Sequence, residues 1–258
     1  MRKYIGRPAA AFGLLLFVSS LCWLFVNPGQ DARRTKLDPV VQPQPAFSLV
    51  VLDPGHGGQD SGAMCVGITE KDLTFDVAQR AGRMLEAHGL GTRLTRSGDA
   101  YVTLQDRAAL ANRATDCIFV SIHFNDTNRQ GANGVETYFA IRQQQVTPEL
   151  AAWLPFFRGA SNEEATLESQ SLAGFIQQAV VERTKAANRG TKAEQFYVIA
   201  NVRHPAVLVE GGFMTNKEEI VKLGNGEYRE SMAAAIAEGI EKYRQLLIQQ
   251  AAAAVPRS

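Results

Sequence analysis

Val50-Val51-Leu52-Asp53-Pro54-Gly55-His56-Gly57-Gly58 and Cys117-Ile118-Phe119-Val120-Ser121-Ile122-His123-Phe124-Asn125 share one pattern, an apolar run that delivers a histidine. A short continuous apolar run that stops at a turn signal reads as a buried strand. Runs apolar on both faces belong to the interior of a parallel sheet. In open sheets of that kind, binding and catalytic groups gather outside the carboxyl ends of the strands. His56 and His123 therefore read as two imidazoles brought by the fold to one place, a pattern that suits a metal site.

Working outward, the remaining segments alternate strand with helix. Phe47–Asp53 is the first strand. Leu73–His88 places Leu73, Val77, Ala81, Met84 and Leu85 on one helical face, with Gly89 to end it. Thr92–Thr95 is a second strand. Thr103 to Arg113 is a helix with Thr103 as its N-cap. Cys117–Ile122 is central, and Val135–Ala140 alternates as a strand nearer an edge would. Helix follows over Ser169–Lys185, short strands at Phe196–Ile199 and Ala206–Val209, and a long amphipathic helix over Gly226–Gln250, after which the tail 251–258 is expected to fray. The alternation predicts an α/β fold, a three-layer α/β/α domain around a largely parallel central sheet. Arg142–Glu168, with Trp153, Leu154, Phe156 and Phe157, has no clear period.

Composition bounds the rest. The 258 residues are 45% hydrophobic and 21% charged, with a net charge of +1, enough for one sizeable core and without a global field for nucleic acid. Arg2, Lys3 and Arg7 precede the apolar stretch Ala9–Val26. Residues 1–26 thus read as an export signal or a membrane anchor with a cytoplasmic N-terminus, and the anchor is preferred because no small-x-small cleavage site follows. Residues 27–46 carry Pro28, Pro39, Pro43 and Pro45 and read as a linker. Residues 47–250 are the folded domain. Cys22, Cys65 and Cys117 form neither a disulfide framework nor a Cys-x-x-Cys metal pair.

A catalytic zinc commonly takes three protein ligands and leaves one position open. With His56 and His123 as two, Glu70 is the best third, since its loop starts beside His56; alternatively it is an acidic first-turn residue favoured by the helix dipole. Glu210 closes the apolar run Ala206–Val209, where a carboxylate is costly unless paired or at a functional opening. It is the candidate base. Glu136 competes, but lies inside its strand, where a structural role is expected. His88 and His204 read as surface residues.

LDPGHGG, the Glu of ITEKD, FVSIHFN, GVETY and LVEGGFMTN, in that order, closely resemble the zinc-dependent N-acetylmuramoyl-L-alanine amidases of bacterial cell walls. The resemblance covers Phe47 to about Arg244. It implies one zinc ion per chain held by His56, Glu70 and His123, with Glu210 as the catalytic carboxylate. It also implies substrate contacts at Arg189 and Asn125, and structural or supporting roles for Arg96, Arg107 and Asn112. The implied reaction cuts the amide between the lactyl group of N-acetylmuramic acid and L-alanine, in wall remodelling or daughter-cell separation. The implied partner is peptidoglycan, in the periplasm or at the outer face of the cytoplasmic membrane. Some relatives carry a longer, blocking insertion where this chain has Arg142–Glu168. Here that segment is a lid, an activator-binding patch or a loop with its own small core. The competing reading of the whole chain is a catalytically inactive, wall-binding or regulatory relative.

Overall fold

A computed structural model describes residues 47–129, 131–141 and 155–254. The expected anchor, the linker through Ala46, Trp153, Leu154 and the last four residues lie outside them. Among the described residues, no helix is long and apolar enough to cross a membrane.

The two histidine-bearing runs form β1 (Leu49–Pro54) and β5 (Cys117–Asn125), which pair in parallel from Leu49↔Cys117 to Pro54↔Ile122. Between them come a hairpin of β2 (Met64–Cys65) and β3 (Ile68–Thr69), helix α1 (Glu70–Ala87), β4 (Gly91–Leu94) and helix α2 (Leu104–Asn112). Then follow β6 (Val135–Phe139), α3 (Pro155–Thr184), β7 (Asn188–Ala193), α4 (Tyr197–Ala200), β8 (Ala206–Phe213), α5 (Lys217–Gly224) and α6 (Gly226–Ala254). The sheet order is β4-β1-β5-β8-β6-β7. The first four strands are mutually parallel; β6 runs antiparallel to β8, and β7 runs parallel to β6. The sheet is thus largely parallel, and helices cover both faces.

The strand alternation separates two cores. Val50, Leu52, Ile118, Val120, Ile122, Val207 and Val209 project from one face and pack under α1, α3 and α6. Val51, Phe119, Ala206 and Leu208 project from the other and meet Ala108 and Ala111 of α2 and Val198 and Ile199 of α4. Directly paired residues of neighbouring strands share a face. The pairs His123↔Glu210 and Glu136↔Glu210 therefore set His123, Glu210 and Glu136 in one row across β5, β8 and β6. Their place in the alternation puts that row on the second face, which carries the two shorter helices.

Several boundaries differ from the sequence reading. Phe196–Ile199 is not a strand: from Tyr197 it is a helical turn, with the Phe196 carbonyl accepting from the Ile199 and Ala200 N–H groups. Its β-branched and aromatic residues favour a strand locally, but Val198 and Ile199 are buried on the second core instead. β7 lacked an apolar alternation because it is the exposed edge. α3 begins at Pro155, well before Ser169, so Phe156 and Phe157 belong to a helix. β8 runs on through Glu210 to Phe213, and α6 reaches Ala254, into the stretch expected to fray.

Candidate metal centre and its carboxylate row

His56 leaves β1 in a left-handed backbone conformation, φ 61°, uncommon for a residue with a side chain. Two buried guanidinium groups hold the loop there. Arg107 donates to the carbonyls of Pro54 at 2.8 Å and His56 at 2.7 Å, and to Asp53 Oδ1 at 2.7 Å. Arg96 donates to the carbonyls of Pro54 and Gly55, each at 3.1 Å, and of Lys71 at 2.7 Å. Asp53 also accepts from Thr95 Oγ1 at 2.6 Å and Ser121 Oγ at 2.7 Å. Replacing Arg107 with Met would keep its stem and strand a buried carboxylate. Breaking a buried pair in this way costs about 3–5 kcal/mol, and chemical denaturation should show Arg107→Met destabilised on that scale.

Glu70 opens α1, whose N-cap Thr69 accepts from the Asp72 N–H. Its carboxylate is 4% exposed as a residue and tightly held. Oε1 accepts from the Phe124 N–H at 3.1 Å and Oε2 from the Ala63 N–H at 3.0 Å. The same Oε1 stands 3.0 Å from His56 Nε2 and 2.9 Å from His123 Nδ1. Burial alone would raise the Glu70 pKa, but hydrogen bonds and charge from His123 and His56 hold it well below the carboxylate range. One donor atom from each of His56, Glu70 and His123 lies within 4.8 Å of the other two. The approach depends on two glycines. A Cβ on Gly55 would sit 2.3 Å from His123 Cε1, and one on Gly62 would sit 2.5 Å from Glu70 Oε2.

Asp60, which the sequence reading did not single out, stands behind His56, with Oδ2 2.9 Å from Nδ1. Its Oδ1 accepts from the Gly62 N–H at 3.1 Å. It orients the ring so that Nε2 faces Glu70. Burial works against the charged form of His56, but Glu70 and Asp60 outweigh it and raise the imidazole pKa. The signal was a carboxylate four residues past the histidine in a glycine-rich turn.

Glu210 and Glu136 divide cleanly. Glu210 Oε2 is buried and has no hydrogen-bond partner among the described residues. Burial, then the charges of Glu70 and Glu136, raise its pKa well above the ordinary value. Glu136 is buried but saturated. Oε1 accepts from Asn125 Nδ2 at 2.9 Å and the Tyr138 hydroxyl at 2.7 Å, and Oε2 from Arg189 Nε at 2.7 Å and from Lys192 Nζ. Burial opposes its ionisation, yet Lys192, Arg189, Tyr138 and Asn125 together bring its pKa down to about 2. A carboxylate depressed from 4.5 in this way stabilises the fold fully above 4.5 and loses that contribution as pH falls toward 2. In acid titrations of stability, Glu136→Gln should be less stable than the parent at pH 7, and the difference should shrink below pH 4.5.

Arg189 and Asn125, expected to contact substrate, are both tied to Glu136. Asn112 lies elsewhere. Its Nδ2 donates to the Asn201 carbonyl at 2.8 Å and its Oδ1 accepts from the Arg203 N–H at 2.7 Å, bracing α2 against the segment before β8. Lys192 was missed because it lies on the edge strand, which has no apolar pattern.

Comparison with known proteins agrees with this architecture. The N-acetylmuramoyl-L-alanine amidase family model matches residues 50–242. The amidase AmiA of Escherichia coli strain K12 is 32% identical over 219 residues, covering 76% of this chain and 75% of that protein. The solved amidase AmiC2 of Nostoc punctiforme is 37% identical, with a TM-score of 0.64 over 76% of this chain and 97% of that one. The CwlD amidase of Clostridioides difficile, solved in complex with the GerS lipoprotein, is 25% identical, with a TM-score of 0.66 over 77% and 99%. The chain belongs to the N-acetylmuramoyl-L-alanine amidase family.

Proposed function

We propose that the chain hydrolyses the amide joining the lactyl group of N-acetylmuramic acid to L-alanine in peptidoglycan, with one zinc ion held by His56, Glu70 and His123. The donor set fits that ion. Two imidazoles and a carboxylate offer atoms close enough together to share an ion that binds at about 2.0–2.2 Å, and three protein ligands leave a position free. A bound zinc ion supplies Lewis-acid polarisation of a carbonyl and acidifies water.

The chain's own groups do the remainder. The observation that carries the reading is the half-buried Glu210 beside His123 in the strand row, whose buried Oε2 has no hydrogen-bond partner among the described residues. Asn125, Arg189 and Lys192 all engage Glu136, and among the described residues none of them hydrogen-bonds Glu210 Oε2. Glu210 takes a proton from the attacking water and delivers it to the departing L-alanine nitrogen, the two halves of general base and general acid work. Burial and the neighbouring charges of Glu70 and Glu136 favour its protonated form, which suits it to hold the proton between the two transfers. Glu70 is fixed by the Phe124 and Ala63 N–H groups and turns toward both rings.

The family membership supports an envelope location, as does the basic–apolar start read as an export signal or anchor. The complex of CwlD with a lipoprotein supports a protein partner for this chain as well, and Arg142–Glu168 is the segment proposed to meet it. The full chain should release stem peptides from purified peptidoglycan, lose that activity on dialysis against a chelator, and regain it with zinc. Undiminished release after complete metal removal would exclude the metal assignment.

A further inference from the structure

We infer that Arg189 and Lys192, held side by side by Glu136, form a receptor for a carboxylate of the stem peptide, the α-carboxylate of the residue after L-alanine. The inference rests on the proposed amidase reading.

Three observations carry it. First, two cations converge on a single carboxylate. Glu136 is one buried carboxylate, and Arg189 and Lys192 both pair with it. Glu136 answers one of the two positive charges by direct contact, and the other faces the opening that the unpaired Glu210 Oε2 shares. Second, the cations keep donors facing outward. Glu136 is 3% exposed at its side chain, whereas Arg189 is 34% and Lys192 40% exposed. Arg189 spends Nε on Glu136 and, among the described residues, adds a long 3.4 Å contact from Nη1 to the Asn133 carbonyl. Its guanidinium lies 4.9 Å from the centre of the Phe213 ring, and Lys192 Nζ lies 5.7 Å from that of Tyr138. Ring faces and the buried carboxylate therefore fix both head groups without neutralising them. Edge-strand cations with no task would instead extend freely into water.

Third, the spacing suits the substrate. Glu136 and Glu210 are directly paired across β6 and β8. Neighbouring strands lie about 4.8 Å apart, and an extended peptide advances about 3.3 Å per residue. The Arg189 and Lys192 head groups meet at Glu136, one strand spacing from Glu210, so with the scissile nitrogen at Glu210 a chain crossing β6 toward β7 puts the next residue's substituents within their reach. In the stem that residue is a γ-linked glutamate, so its α-carboxylate is free unless the wall amidates it. A fork and an ammonium with outward donors recognise a carboxylate and gain little from a carboxamide. The pair would thus distinguish unamidated from amidated stems.

Titration calorimetry on the full, zinc-loaded chain tests this with two peptides that lack the scissile amide. Both are L-alanyl-γ-D-glutamyl-L-lysine with an amidated C-terminus; one keeps the glutamyl α-carboxylate and the other carries its amide. The acid is expected to bind about tenfold tighter, a difference worth about 1.4 kcal/mol. Lys192→Gln and Arg189→Gln should each remove most of that preference, and Lys192→Arg should keep it. Equal binding of the two peptides by the parent chain overturns the inference, as does a preference that survives in both Gln variants. Cleavage of a muramoyl peptide is followed in parallel. Discrimination without cleavage would sink the amidase reading and leave the receptor standing; cleavage without discrimination would do the reverse.

Discussion

Glu210→Gln is expected to keep its metal and lose turnover by on the order of 100- to 10,000-fold, the scale of a positioned proton-transfer group. The amide is close in size to the carboxylate, so the surrounding core has no cavity to collapse into. Nothing among the described residues hydrogen-bonds Oε2, so the substitution breaks no bond there. What it removes is a group able to accept a proton. Elemental analysis and steady-state rates on the same preparation separate the outcomes. Retained turnover would exclude the role, and lost metal would make Glu210 a ligand. Glu136→Gln should behave differently. Its four donors contact a carboxylate that already holds its charge, so the loss should fall on stability and on recognition of the stem, more than on proton transfer.

His123→Ala should abolish metal binding near stoichiometry. Two ligands in place of three cannot hold a catalytic zinc tightly, and the deleted ring also leaves space beside Gly55, which has no Cβ because the ring lies against it. Glu70 would then lose a partner that stabilises its charge while remaining buried, so thermal stability should fall together with metal content. Metal content equal to the parent's in this variant would contradict the ligand set.

The residues that could be read from sequence are those where local chemistry and burial agree. β1 and β5 are largely apolar because both of their faces are covered; His56 follows β1 by two residues and His123 lies near the end of β5. Thr103 caps α2 as its position before an apolar run suggests, accepting from the Asp106 N–H. Glu210 stood out because a carboxylate after four apolar residues needs a reason. The row His123–Glu210–Glu136 did not stand out, since it depends on strand register across β5, β8 and β6. Antiparallel pairing of β6 with β8 follows from sheet order, which hydrophobic period does not encode. Lys192 and β7 were silent for a related reason: an exposed edge strand needs no alternation. Asp60 is a short-range feature that a reading centred on apolar runs passes over. In the segment from Phe196, local preference for a strand gave way to burial of Val198 and Ile199 against the second core.

His56, Glu70, His123 and Glu210 are proposed to cut the lactyl–L-alanine amide together. Mass spectrometry of purified peptidoglycan digested by the zinc-loaded full chain tests it most directly. The expected products are free stem peptides beginning with an unblocked L-alanine amino group, together with glycan strands whose muramic acid carries a free lactyl carboxylate, and neither product with Glu210→Gln. Fragments cut within the peptide or the glycan, or intact peptidoglycan with fully metal-loaded protein, would contradict it, the last outcome being that of a wall-binding relative without catalysis.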